Sequence, residues 1–101
     1  MAIDVTEETF TEESQEGIVI LDFYATWCGP CRMLGPILEE VEQEDESVKV
    51  LKINVDENRE LAIKFNVGSI PKLVFLNEGI NVGEMVGLQS KSAIREKLKV
   101  V

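Results

Sequence analysis

The stretch Ile18–Cys31, IVILDFYATWCGPC, runs from a strand-like segment into the chain's only two cysteines. Six of its first seven residues, all but Asp22, are apolar, β-branched or aromatic, over the length of a strand. Gly17, just before them, is a natural stop for a short helix predicted at about residues 7–15. After the cysteines, Met33, Leu34, Ile37, Leu38 and Val41 recur at helical spacing, so residues 29–44 read as one amphipathic helix. Cys28 and Cys31 thus fall where a strand hands over to a helix.

Further along, residues 48–55, VKVLKINV, read as a second strand, and Asp56 or Asn58 can cap a short helix whose Leu61, Ala62 and Phe65 share a face. The run LVFL at 73–76, a turn at Asn77-Glu78-Gly79 and the run Ile80–Val86 predict an antiparallel hairpin, with Gly83 as a bulge. Ser90 can cap a last helix presenting Ile94, Leu98 and Val101. Strands alternating with helices favour a parallel sheet covered on both faces, and the late hairpin adds an antiparallel edge. The expected fold class is therefore α/β, a three-layer sandwich around a mixed sheet. No linker, repeat or second domain is visible, so residues 1–101 are expected to form a single domain.

Composition is that of a globular chain. At 101 residues it can bury about two-thirds of the surface exposed when unfolded, with 45% apolar residues to supply the core. A formal charge of −9 disfavours nucleic acid and anionic membranes as partners, since both are bound chiefly through Lys and Arg. No apolar run approaches a membrane span, and MAIDVTEETF lacks the pattern of a secretion signal, so a cytoplasmic location is expected. The charge is uneven: residues 1–47 hold thirteen acids and Arg32 alone as base, whereas residues 48–101 hold six acids and nine bases. Solvated helix faces account for the acidic clusters.

Three explanations compete for the cysteine pair. A staple closing a four-residue loop would stabilise by only about 2 kcal/mol and would join segments already adjacent. Structural zinc wants about four Cys or His ligands, and with two cysteines and no histidine only a metal bridging two chains remains as an alternative. Redox chemistry fits the position as well as the pair. Cysteines three apart at a first helical turn can bridge with little movement and reopen as easily. The helix start favours the thiolate of Cys28, which makes it the expected nucleophile. Gly29 leaves room for a substrate backbone, and Pro30 presets a helical φ where its missing N–H matters little. Cys31, one turn inward and expected to be more shielded, suits the resolving role.

With strand, turn and helix in place, the chain resembles the thioredoxin family along its whole length. The matching residues are Asp22-Phe23, Ala25, Trp27-Cys28-Gly29-Pro30-Cys31, Pro36, Lys52, Asn54, Asp56 and Ile70-Pro71. The resemblance implies a central mixed five-stranded sheet with four helices, and a general protein disulfide reductase that acts on oxidised protein substrates. It also implies recycling by thioredoxin reductase and no bound cofactor; the ligand count leads us to expect no metal, and nothing in the sequence demands more than a monomer. The glycine-proline pair looks like that of the reducing members of the superfamily.

The same resemblance assigns roles to single residues. Asp22 interrupts an apolar strand and is expected to be buried with a raised pKa, acting as the base that deprotonates Cys31. Lys52 corresponds to the family's lysine near that aspartate, against the simpler expectation of an outward-facing side chain. Pro71 is expected to be cis and to face the disulfide, leaving Ile70 to pair through its backbone with an extended substrate. Trp27 is expected on a partly exposed apolar platform with Val55, Ile70, Val86 and Gly87. Pro36 is expected to kink its helix.

Two positions depart from the family pattern: Tyr24 replaces a frequent tryptophan and Lys72 a usual threonine. Lys72 either sets positive charge beside Cys28 or points away. A competing class, a non-enzymatic binding subunit using the Trp27 platform, leaves the intact cysteine pair unexplained.

Overall fold

The computed structural model describes residues 2–101. In chain order the elements are β1 (Ile3–Asp4), α1 (Phe10–Ser14), β2 (Ile18–Tyr24), α2 (Gly29–Glu44), β3 (Val48–Asn54), α3 (Arg59–Lys64), β4 (Lys72–Asn77), β5 (Ile80–Val86) and α4 (Lys91–Leu98). One sheet forms in the order β1-β3-β2-β4-β5. The strands β1, β3 and β2 are parallel, and β4 and β5 add the antiparallel edge. The five-stranded mixed sheet and the three-layer sandwich are as expected. No helix among the described residues is long and apolar enough to cross a membrane.

Alternation along the strands sends side chains to two separate cores. On one face Val19, Leu21 and Phe23 of β2 meet Phe10 of α1 and Leu61 of α3, with Phe65 edge-on to Phe10 at 5.6 Å between ring centres. On the other, Ile20, Val50, Leu73 and Phe75 pack under Leu34, Leu38 and Val41 of α2 and Ile94 of α4. Each such side chain stabilises by about 1.5–3 kcal/mol through burial. Asp22 and Lys52 have the parity of the second face and so lie beneath α2.

Local chemistry departs from the expectations at several points. The first helix begins at Phe10 rather than residue 7, because Thr6 and Thr9 close a separate turn and residue 7 is held elsewhere. The Glu7 N–H donates to Asn58 Oδ1 (3.2 Å), and the Glu7 carboxylate accepts the Glu60 N–H (2.8 Å). Asn58 is at the N-cap of α3 but makes no side-chain cap. Glu7, fifty-three residues away, supplies that acceptor instead. Asp56 is likewise not the cap.

The hairpin turns on two residues, Glu78 and Gly79, at φ 52° and 81°, between the paired Asn77 and Ile80. Positive φ at both central residues suits the twist of the flanking strands. The bulge falls at Val82, beside the expected Gly83, because Phe75 is opposite Gly83 whereas Leu76 is opposite Asn81. A Cβ at Gly83 would stand 2.5 Å from Lys97 Cε, so its absence lets that stem lie over β5. Ser90 caps α4 as expected, its hydroxyl accepting the Ala93 N–H (3.0 Å). Pro36 is inside α2 and removes one backbone donor there.

Candidate active site

Cys28 and Cys31 are joined as a disulfide with their Cα atoms 5.3 Å apart, a spacing that needs no backbone movement. Cys28 is the N-cap of α2 in an extended conformation (φ −92°, ψ 111°), with Gly29 and Pro30 in the first turn. Its Sγ accepts the Cys31 N–H at 3.3 Å. That donor, one of the four a helix start leaves without backbone partners, is aimed at the sulfur and stabilises negative charge there. Both cysteines are buried, 6% and 4% exposed, so shielding separates them little. Their polar surroundings separate them: Cys28 faces the helix start, whereas Cys31 lines a cleft of about 340 Å³ with Tyr24, Arg32, Glu39 and Lys52.

Asp22 is 1% exposed. Burial pushes its carboxyl up to about 7, against the pull of Lys52, and Asp4 adds to the rise. Its Oδ1 has no hydrogen-bond partner. Lys52 is opposite Asp22 on the neighbouring strand, half-buried, with its ammonium 4.6 Å from the Tyr24 ring centre. The Tyr24 hydroxyl donates to Asp4 Oδ1 at 2.7 Å. Burial, then that bond, pushes the phenol up to about 12, so it stays a donor at any working pH.

The Ile70–Pro71 peptide bond is cis. Ile70 and Val55 pack against the cluster of Ala25, Cys28 and Cys31. Trp27 is 68% exposed, and its indole N–H donates to Asp56 Oδ2 (2.8 Å), which gives Asp56 a role other than capping. A depression of about 420 Å³ beside it is lined by Trp27, Val55, Ala62, Val67, Ser69 and Ile70. Val86 and Gly87 are outside that lining: the Gly87 N–H donates to the Pro71 carbonyl (2.8 Å), which places them on the other flank of Pro71.

Lys72 resolves to the second of its two alternatives. It is buried at 5% exposure, and its ammonium donates to the carbonyls of Phe65 (2.8 Å) and Asn66 (3.3 Å) and pairs with Glu84 (3.0 Å). Its charge serves the end of α3 rather than the Cys28 thiol. Sequence reasoning also missed Asp4 and the Tyr24 hydroxyl, whose contact spans twenty residues and three strands. It missed Ala62 and Val67 as well, which extend the apolar depression.

The family model described as Thioredoxin matches residues 1–100. The thioredoxin of Bacillus subtilis (strain 168) is 46% identical over 95 residues, covering 93% of this chain and 91% of that protein. The thioredoxin of Listeria monocytogenes is 44% identical over 97 residues, covering 95% and 94%. Among solved structures, a mutant thioredoxin from Halobacterium salinarum NRC-1 superposes with a TM-score of 0.90 at 38% identity, covering 97% of this chain and 88% of that one.

Proposed function

The chain belongs to the thioredoxin family and is a protein disulfide oxidoreductase, and from that premise we propose how its residues divide the work. Reduced Cys28, as thiolate at the start of α2, attacks one sulfur of a substrate disulfide. A mixed disulfide forms and the other substrate sulfur leaves as a thiolate. Cys31 then gives its proton to Asp22 and attacks Cys28 Sγ. The bond between Cys28 and the substrate breaks, and the substrate is released with both sulfurs reduced. Two electrons pass from the protein dithiol to the substrate.

The observation that carries this assignment is the Cys31 N–H aimed at Cys28 Sγ from 3.3 Å, which supports charge on the first sulfur alone. Trp27, Val55 and Ile70 on one flank of Pro71, with Val86 and Gly87 on the other, form the surface for an extended substrate. Gly29 and Pro30 keep the intervening turn low. Lys52 influences Asp22 from the adjacent strand β3. Residues 1–101 act as one domain, as a monomer in the cytoplasm, with thioredoxin reductase restoring the dithiol.

The reduced protein is expected to cut insulin disulfides and to be recycled by a thioredoxin reductase. Cys28→Ser abolishes this activity, and Cys31→Ser halts at a mixed disulfide visible as a mass adduct. Turnover surviving in Cys28→Ser would sink the assignment.

A further inference from the structure

A row of charged side chains runs from Asp22 to the edge of the sheet. Asp4 of β1 is opposite Lys52 of β3, and Lys52 is opposite Asp22 of β2, so the three side chains leave one face of the sheet at one level. Parallel strands are about 4.8 Å apart, which puts a lysine so flanked within reach of either carboxylate. It pairs with neither. Among the described residues Lys52 has no carboxylate within ion-pair distance. Its ammonium is 4.6 Å from the centre of the Tyr24 ring instead, and the hydroxyl of that ring is anchored on Asp4 Oδ1. Tyr24 thus reaches from β2 to β1, across the strand that bears the lysine. Beneath it the buried Asp22 Oδ1 is without a hydrogen bond.

We propose that Tyr24, tethered through its hydroxyl to Asp4, is a positioning residue that holds the Lys52 ammonium off Asp22 and so keeps Asp22 able to accept the Cys31 proton. The inference rests on the assignment of Asp22 as that acceptor. An ammonium in contact with a buried carboxylate strongly favours its charged form and makes it a weak base. An aromatic face offers the same ammonium a competing partner, without the cost of drawing the ammonium into the buried site of the carboxylate. The Asp4 carboxylate has a second effect of the same sign, since its negative charge disfavours ionisation of Asp22.

The groups around Asp22 can be named element by element. Asp4 faces it from β1, Lys52 from β3, Tyr24 from its own strand and the apolar Leu73 from β4. Cys31, Arg32 and Glu39 of α2 line one cleft with Tyr24 and Lys52. In the resolving step the Cys31 proton passes to Asp22 as the bond between the Cys31 and Cys28 sulfurs forms and that between Cys28 and the substrate breaks. The departing substrate thiolate takes a proton from solvent, and Asp22 later returns its own to solvent.

The test uses the full oxidised chain, in which the cysteines do not titrate, with the Asp22 carboxyl carbon followed by NMR from pH 4 to 9. Tyr24→Phe keeps the ring and loses the tether, whereas Tyr24→Leu loses both. The titration midpoint is expected to fall by about half a pH unit in the first and about one unit in the second. In a Lys52→Met background Tyr24→Leu should move it no further. An unmoved midpoint in both single variants, or a fall that persists without the lysine, overturns the proposal. A second readout separates the clamp from the role of the acid: release of reduced substrate from a preformed mixed disulfide should shift its pH profile by the same amount. A titration that moves while release does not would uphold the clamp and overturn Asp22 as the proton acceptor.

Discussion

Asp22 is a carboxylate placed where ionisation is unfavourable, and the consequence is measurable without any substrate. Its folded pKa stands near 7 against 3.8 for the ordinary side chain, with burial as the main cause. A raised carboxyl pKa means that the folded state binds the proton more tightly than the unfolded state. This contribution is therefore complete below about pH 4 and is lost as pH rises through 7, by on the order of 4 kcal/mol in full. Asp22→Asn removes the ionisation and with it this slope. Relative to the parent, the variant is expected to gain about 4 kcal/mol between pH 4 and pH 8, with any loss from an amide NH₂ without a partner of about 1–3 kcal/mol common to both pH values. Urea unfolding at the two pH values checks this, and identical pH slopes in both proteins would remove the buried acid from the account. The residue was legible in the sequence because a charge interrupts six apolar or aromatic positions. The Tyr24 anchor on Asp4 was not, since nothing in the composition of either neighbourhood shows that β1 and β2 flank the same strand.

Whole elements were legible to the extent that their signals are local. The spans of β2 and α2 follow from a seven-residue run apolar or aromatic but for Asp22 and from helical spacing around a proline-bearing first turn, and both appear with the predicted limits. The two-residue β1 has no periodicity to detect and exists because β3 offers it a ladder. Distant side chains hold α3 at both ends. Glu7 meets its first turn, and Lys72 of β4 meets the carbonyls of Phe65 and Asn66 beyond its last. A helix of six residues is marginal alone, so these contacts decide whether it is formed. Lys72→Thr deletes the charged donor, leaves the carbonyls of Phe65 and Asn66 without it and frees Glu84, whose carboxyl is held low by Asn81 and then by Lys72. Its expected effect is a loss of about 1–3 kcal/mol in stability, with early hydrogen exchange in α3. The Cys28 thiol titration in the reduced variant should stay where it is; a rise would return the lysine to the neighbourhood of the sulfur.

At the scale of the whole molecule, charge pulls in two directions. The acidic first half and the basic second half meet through Lys49–Glu13, Lys91–Glu40, Lys91–Glu44 and Arg95–Glu44, at 2.6–3.1 Å. All of these side chains are about a third or more exposed, which limits each pair to roughly 0–1 kcal/mol. Helix α4 is held instead by Ile94, fully buried beneath it. Against the pairs stands a net charge of −9 confined to a body with a radius of gyration of 12.1 Å. Compaction brings like charges together, so self-repulsion opposes folding, and salt relieves it as the screening length falls from about 30 Å at 0.01 M to a few ångströms near 1 M. The same salt weakens the surface pairs, but these span short distances and contribute little at the outset. The urea midpoint is therefore expected to rise between 0.01 M and 0.5 M sodium chloride with an unchanged slope. A fall would mean that the pairs joining the two halves outweigh the excess of acid, and would give the uneven charge of the sequence a part in holding the fold together.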